Sequence, residues 1–256
     1  MSLVAVVGDG CTTTALGLAA TWQRDESCFV AEFDPAGGCL SAWLDLPRSP
    51  GLAEAVAGSS NPSWPDLQRT IQASPRGIDV IVAPTRPVEA AAVVHAAEKA
   101  VLPVLAAVTS PVVIVDGGRL RGGLSNVVGR CSVAVIAHRQ HAGSAAAAAL
   151  GLERVADLAS LMTARSIPTV VALVGQRPYS VDEASDFVGA DAVVAVADDP
   201  WAAAVFAGRA GSRARLRRSA LMQSLTELSG VVAALLHRDL AEIPALPDEM
   251  LVEGRS

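Results

Sequence analysis

The segment Val7-Gly8-Asp9-Gly10-Cys11-Thr12-Thr13-Thr14 holds the residue types of an anion site. A short apolar run, Leu3 to Val7, ends in a Gly-Asp-Gly turn, and threonines then open a helical stretch. That arrangement turns backbone N–H groups and the positive end of a helix dipole toward one point, where a phosphate binds. A working phosphate loop reads G-x-x-x-x-G-K-[ST], with its lysine on the β/γ-phosphates and its hydroxyl on Mg²⁺. With Thr12 at the Mg²⁺ position, Gly10 is the second glycine and Cys11 stands where the lysine belongs. The first glycine then falls on Ala5, inside the strand, so the loop is short as well as lysine-free. Asp9 adds a carboxylate where phosphate would sit. The one lysine of the chain, Lys99, lies far along in a helical stretch. The same residues also suit an ordinary strand-to-helix turn with a cap, in which Asp9 accepts the N–H bonds of the turn.

Other chemistry has less to rest on. Cys11, Cys28, Cys39 and Cys131 show no CxxC pairing and no histidine at ligand spacing, which reads as free thiols in a reducing compartment. His138 and His141 stand three apart without a third ligand nearby. Ser41 and Thr12 to Thr14 lack a His/Asp pair that would activate a hydroxyl. Arg209, Arg213, Arg215, Arg217 and Arg218 crowd together with no acid among them. Such a cluster suits the phosphates of DNA or another anion, or else a solvated surface.

The elements that must position these residues alternate. Val/Ile-rich runs cover 3–7, 28–33, 78–83, 112–115, 133–137, 169–174 and 192–196, and helical stretches cover 13–24, 65–73, 88–108, 144–165, 181–188 and 201–207. This predicts an α/β fold, a mostly parallel sheet of about seven strands with helices on both faces. Leu221, Leu225, Leu228, Val232 and Leu235 form one stripe of a last helix over 216–238, expected to dock on the body of the protein. One domain over 1–238 and an exposed acidic tail over 239–256 follow.

The chain has 256 residues, 51% hydrophobic, 4% aromatic, with a net charge of −6. The length suits one large α/β domain, and small aliphatics suit helices packed closely on a parallel sheet. The negative balance gives no general case for nucleic acid or an anionic membrane. No apolar stretch reaches the ~20 residues of a bilayer span, and no signal peptide is read at the start, so a cytoplasmic protein is expected.

Several segments in order resemble the ParA/MinD-type P-loop ATPases. Glu32 and Asp34 in Ala31-Glu32-Phe33-Asp34-Pro35-Ala36-Gly37 match the two acids that end that family's second strand. Asp116 in Val113-Ile114-Val115-Asp116-Gly117-Gly118 matches its Walker B acid. Gly175-Gln176-Arg177-Pro178 resembles its strand-end loop that faces the nucleotide base, and Asp198-Asp199-Pro200 resembles its late Pro-Asp segment and following helix. The chain as a whole resembles an actinobacterial MinD-like branch, with the pilus-localisation (CpaE-like) proteins as neighbours, in which the loop is degenerate. The resemblance implies the fold, a nucleotide site at Gly8, Asp9, Gly10, Cys11, Thr12, Thr13, Gly175, Arg177 and Asp199, and Mg²⁺ held by Thr12, Asp34 and Asp116. It also implies a homodimer and a protein partner in a division, partitioning, pilus or secretion machinery. The missing lysine argues for weak or absent ATP and Mg²⁺ binding and little or no hydrolysis. Two alternatives stand beside this scaffold reading. One is an atypical ATPase switching between monomer and ATP-bound dimer, with arginine replacing the lysine and Asp34 and Asp116 serving catalysis. The other is a DNA-binding partition module using Arg209 to Arg218.

Overall fold

The computed structural model describes residues 2–22, 25–59, 61–119, 126–140, 143–175 and 177–241, with side chains as far as His237 in the last helix. Eight strands form one sheet: β1 (Leu3–Gly8), β2 (Cys28–Glu32), β3 (Gln72–Ala73), β4 (Asp79–Ile81), β5 (Val112–Asp116), β6 (Val133–Arg139), β7 (Thr169–Val174) and β8 (Ala192–Val196). Their order is β3-β4-β2-β5-β1-β6-β7-β8. All neighbours pair in parallel except β3, which runs antiparallel to β4. The central strands are apolar along their length because helices cover both faces: Leu3 to Val7 and Val112 to Val115 are fully buried.

The helices are α1 (Cys11–Thr21), α2 (Leu40–Trp43), α3 (Leu52–Ala57), α4 (Trp64–Gln68), α5 (Pro87–Ala100), α6 (Leu102–Ala107), α7 (Ala145–Thr163), α8 (Val181–Val188), α9 (Pro200–Phe206), α10 (Arg213–Arg217) and α11 (Ala220–Ala241). Alternate residues of each strand feed two cores. Leu3, Ala5 and Val7 join Leu52, Leu102, Leu105 and Leu152 on one face. Val4 and Val6 join Leu16, Leu40, Leu225 and Leu228 on the other.

Two expected helices are each broken in two. The stretch 88–108 divides at Val101, because Pro103 lacks the N–H that would continue the ladder and instead sits in the first turn of α6. The final helix begins as α10 and restarts at α11, where the Ser219 hydroxyl accepts from Met222 N at 3.2 Å as a cap. α11 then runs to Ala241, past the expected end at 238; residues 242–256 lie outside the described ones.

α11 docks on α1 at Gly17, where a Cβ would meet Leu225 Cδ1 at 2.3 Å. One turn on, the Thr21 and Ser229 hydroxyls bond at 2.6 Å. α11 is the one described helix apolar and long enough to cross a bilayer, yet half of Ala220–His237 is buried in the protein.

Candidate functional site at the head of the first helix

The register carries three distant segments to one place. Val6 of β1 and Glu32 of β2 both lie beside Asp116 of β5. The strand-end loops are then tied to each other: Gly8 N donates to Gly118 O at 3.0 Å and Phe33 N to Asp116 O at 2.7 Å. Gly8 must be glycine, since its φ is +104° and a Cβ would stand 2.2 Å from Ala137 O. The turn from β1 into α1 is only Asp9 and Gly10, with Gly10 left-handed at φ +92°.

At the head of α1, Thr14 bonds Gly10 O through both its N–H and its hydroxyl, each at 3.0 Å. The N–H groups of Cys11, Thr12 and Thr13 meet no acceptor among the described residues. They open onto a cleft of about 300 Å³ lined by Gly10, Cys11, Thr12, Thr13, Asp34, Ala36, Trp43 and Arg119. Asp9 does not cap the turn as expected. Its Oδ1 instead pairs with Arg119 Nε at 3.2 Å, on the surface, and Arg119 therefore reaches the cleft from the loop after β5.

The acids have different surroundings. Glu32 is buried and its carboxylate accepts three backbone N–H groups: Cys39 at 2.5 Å, Leu40 at 3.0 Å and Ala83 at 2.9 Å. Burial outweighs those bonds and pushes its pKa up to about 7. Its oxygens hold α2 and the end of β4 in place. Asp116 is fully buried; its Oδ1 accepts from Gly118 N at 3.1 Å, and its Oδ2 makes no hydrogen bond of ordinary geometry to a described residue. Burial holds its pKa above the usual carboxylate range, against the pull of the Thr12 hydroxyl and Cys11 thiol that face it. Asp34 is half-buried and accepts from Ala36 N at 2.8 Å. Cys11 is 5% exposed, and burial followed by the Asp116 charge raises its thiol far above the normal range. The first residue of α1 thus presents a neutral thiol.

Beyond the cleft, toward β7 and β8, Gly10 and Thr13 also line a space of only about 20 Å³, bounded by Arg139, Val174, Val196 and Asp199. An Arg139–Asp198 ion pair at 3.5 Å spans this side. Gly175, just past the lining Val174, has φ +91°, and Asp199 Oδ1 caps α9 by accepting from Ala202 N at 3.0 Å. Arg177 is exposed and lines neither space; Gln176 lies outside the described residues. The arginine cluster is elsewhere, on and around α10. Arg213 donates to Pro75 O at 2.6 Å, Arg215 lies 4.1 Å over the Trp201 ring, and all five side chains are exposed.

The structure brings Gly10 to Thr13 and Asp34 to one cleft with Asp116 buried beside Thr12 and Cys11, and it adds Arg119, Trp43 and Arg139, which sequence reasoning did not place there. The signal for Arg119 was its place three residues after the Walker B-like acid. Trp43 and Arg139 carry no local signal.

No protein-family model matches the chain, and no curated protein matches it in sequence. Solved structures do match it in fold. The ParA family ATPase from Chlorobium tepidum TLS superposes with a TM-score of 0.67 at 17% identity, covering 89% of this chain and 97% of that one. The septum site-determining protein MinD from Pyrococcus horikoshii OT3, complexed with Mg-ADP, gives 0.68 at 14%, covering 95% and 98%. The MinC:MinD cell division complex of Aquifex aeolicus gives 0.65 at 12%, covering 96% and 98%. The chain has the ParA/MinD ATPase fold over nearly its whole length.

Proposed function

We propose that this chain is a ParA/MinD-like positioning or scaffold factor of the cytoplasm, acting through a protein partner and a second copy of itself, with ATP hydrolysis weak or absent. The fold it shares with division and partition ATPases supports the positioning role. The observation that carries the rest is the buried Cys11 thiol at the head of α1, delivered there by a two-residue turn.

Mg²⁺-nucleotide does not fit the residues present. Among the described residues no cation other than Arg119 reaches the N–H groups at the head of α1, and Arg119 is engaged with Asp9. Thr12, Asp34 and Asp116 are close together as an Mg²⁺ set would be, but Asp116 is sealed from solvent. The space toward Gly175 and Asp199 has room for about one water, not a base. Phosphoryl transfer depends on preorganised charge around the phosphate, and losing one such contact costs on the order of 10²–10³ in rate. Calorimetric titration with ATP-Mg²⁺ tests this. Little or no heat at millimolar nucleotide is expected, and micromolar affinity overturns the reading.

A second reading, an atypical ATPase switching between monomer and dimer, has one observation in its favour: Arg119 lines the same cleft as Thr12 and Asp34. ATP turnover that is lost in Arg119→Ala would establish it.

A further inference from the structure

Two surfaces of opposite charge stand at the two ends of the sheet. The basic one runs from Arg209 to Arg218. It lies at the β3–β4 end, because Arg213 donates to Pro75 O at 2.6 Å and Arg76, from the same turn, donates to Val205 O. No described carboxylate pairs with any arginine of this stretch. Asp79, at the head of β4, and Glu227, about two turns into α11, are exposed as well, and neither reaches them. The acidic surface is α8, at the β8 end, where Ala184 and Val188 are buried in the core that Val193 of β8 packs against. Its outer side carries Asp182, Glu183 and Asp186, with Phe187 among them 54% exposed. Arg177, ahead of the helix, pairs with none of these acids. The neighbouring stretch 145–166 is balanced, with Glu153 and Asp157 exposed beside Arg154 and Arg165.

We propose that the α8 face of one copy docks on the Arg209–Arg218 surface of a second copy, head to tail, with Asp182 and Asp186 against Arg217 and Arg218. Asp182 and Asp186 are one helical turn apart and present two carboxylates to one partner. A guanidinium can cover the exposed Phe187 ring and keep its charge, as Arg215 does over Trp201 at 4.1 Å. Each copy has a net charge of −6, but at physiological salt that field is screened beyond about 8 Å, so the facing patches decide the contact. Eight strands at about 4.8 Å put about 34 Å between the two surfaces. Two rigid copies therefore cannot make both contacts at once, and each pair leaves one surface of each sign free for a further copy. This inference deepens the second-copy part of the proposed function and does not depend on whether nucleotide binds at α1.

Sedimentation velocity of the full chain over a range of concentrations tests it. The average mass should rise past that of a dimer at physiological salt and fall to that of a monomer at about 1 M. Asp182→Arg/Asp186→Arg makes both surfaces basic, and Arg217→Glu/Arg218→Glu makes both acidic. Each variant alone should self-associate at least about tenfold more weakly than the parent, and an equal mixture of the two should recover the parent's behaviour. Recovery on mixing also shows that neither variant is misfolded. A mixture no better than its components overturns the proposal. Self-association that survives both reversals overturns it too, and leaves the second copy of the proposed function to another surface. A chain that stays monomeric at every concentration overturns both. If that monomer binds a DNA duplex of arbitrary sequence, and Arg217→Glu/Arg218→Glu abolishes the binding, the arginines are a nucleic-acid surface instead.

Discussion

Asp34 lies directly against Gly118: a Cβ at Gly118 would come within 2.4 Å of Asp34 Cγ and 2.5 Å of its Oδ1. Gly118 also has φ +70°, a conformation that side chains resist. The half-exposed acid of the β2 loop is thus seated on the glycine that follows the buried acid of β5. Two carboxylates more than eighty positions apart are spaced by a residue with no side chain.

Gly118→Ala should therefore lose about 1–3 kcal/mol, from the strained φ together with displacement of Asp34. Gly10→Ala makes the comparison, since Gly10 has φ +92° but open space around its Cβ position. Its loss should be only about 1 kcal/mol, the backbone share alone. Urea unfolding midpoints of the two variants measure the difference, and equal losses would mean that Asp34 gives way freely.

Glu32 makes stability depend on pH in an unusual direction. Its folded pKa, about 7, lies above the unfolded value of 4.5. The folded state thus holds the extra proton between those values, and stability falls as pH rises through about 7. The contribution is fully present below the unfolded pKa and amounts to roughly 3 kcal/mol for a shift of this size. Asp116, also raised by burial, acts with the same sign. Glu32→Gln should be less stable than the parent at about pH 5, where its amide cannot accept all three N–H groups. The gap should narrow toward about pH 8 as the parent loses the stability linked to that proton. Parallel stability curves for the two chains from urea unfolding across that range would rule out Glu32 as the source.

The sheet was legible because its longer strands are apolar, valine-rich runs: even toward the edge, β7 and β8 lie over the residues expected, as does α8. The short elements were not. β3 is two residues, too few for any period, and exists because β4 offers an edge. α2 begins where it does because Glu32, eight residues earlier, accepts the Leu40 N–H, a bond that no local propensity encodes. The same bond changes the meaning of Glu32. As a sequence position it matches an acid of a nucleotide site, while its oxygens are occupied by Cys39, Leu40 and Ala83. Thr12, Asp34 and Asp116 could be brought together on paper because parallel strands gather their C-terminal ends at one edge. Arg119 and the small volume beside Arg139 depend on how loops pack, which is a tertiary matter.

The proposed function implies two separate obstacles to nucleotide binding. One is that no described cation other than the Asp9-paired Arg119 stands at the head of α1, and the other is the narrow space bounded by Arg139 and Asp199. Cys11→Lys with Asp9→Gly addresses the first twice over, adding an ammonium at the helix head and releasing Arg119 from its ion pair. Inorganic tripolyphosphate needs only that end of the site, so the double variant should bind it measurably by calorimetry. ATP should bind about tenfold more weakly than tripolyphosphate, because its base has about 20 Å³ to enter. Adding Arg139→Ala removes the Arg139–Asp198 pair and should bring the two affinities together. If the double variant binds neither ligand, charge is not the obstacle. The two-residue turn then holds the N–H groups of Cys11 to Thr13 where no phosphate can use them, and Asp34 and Asp116 serve the fold alone.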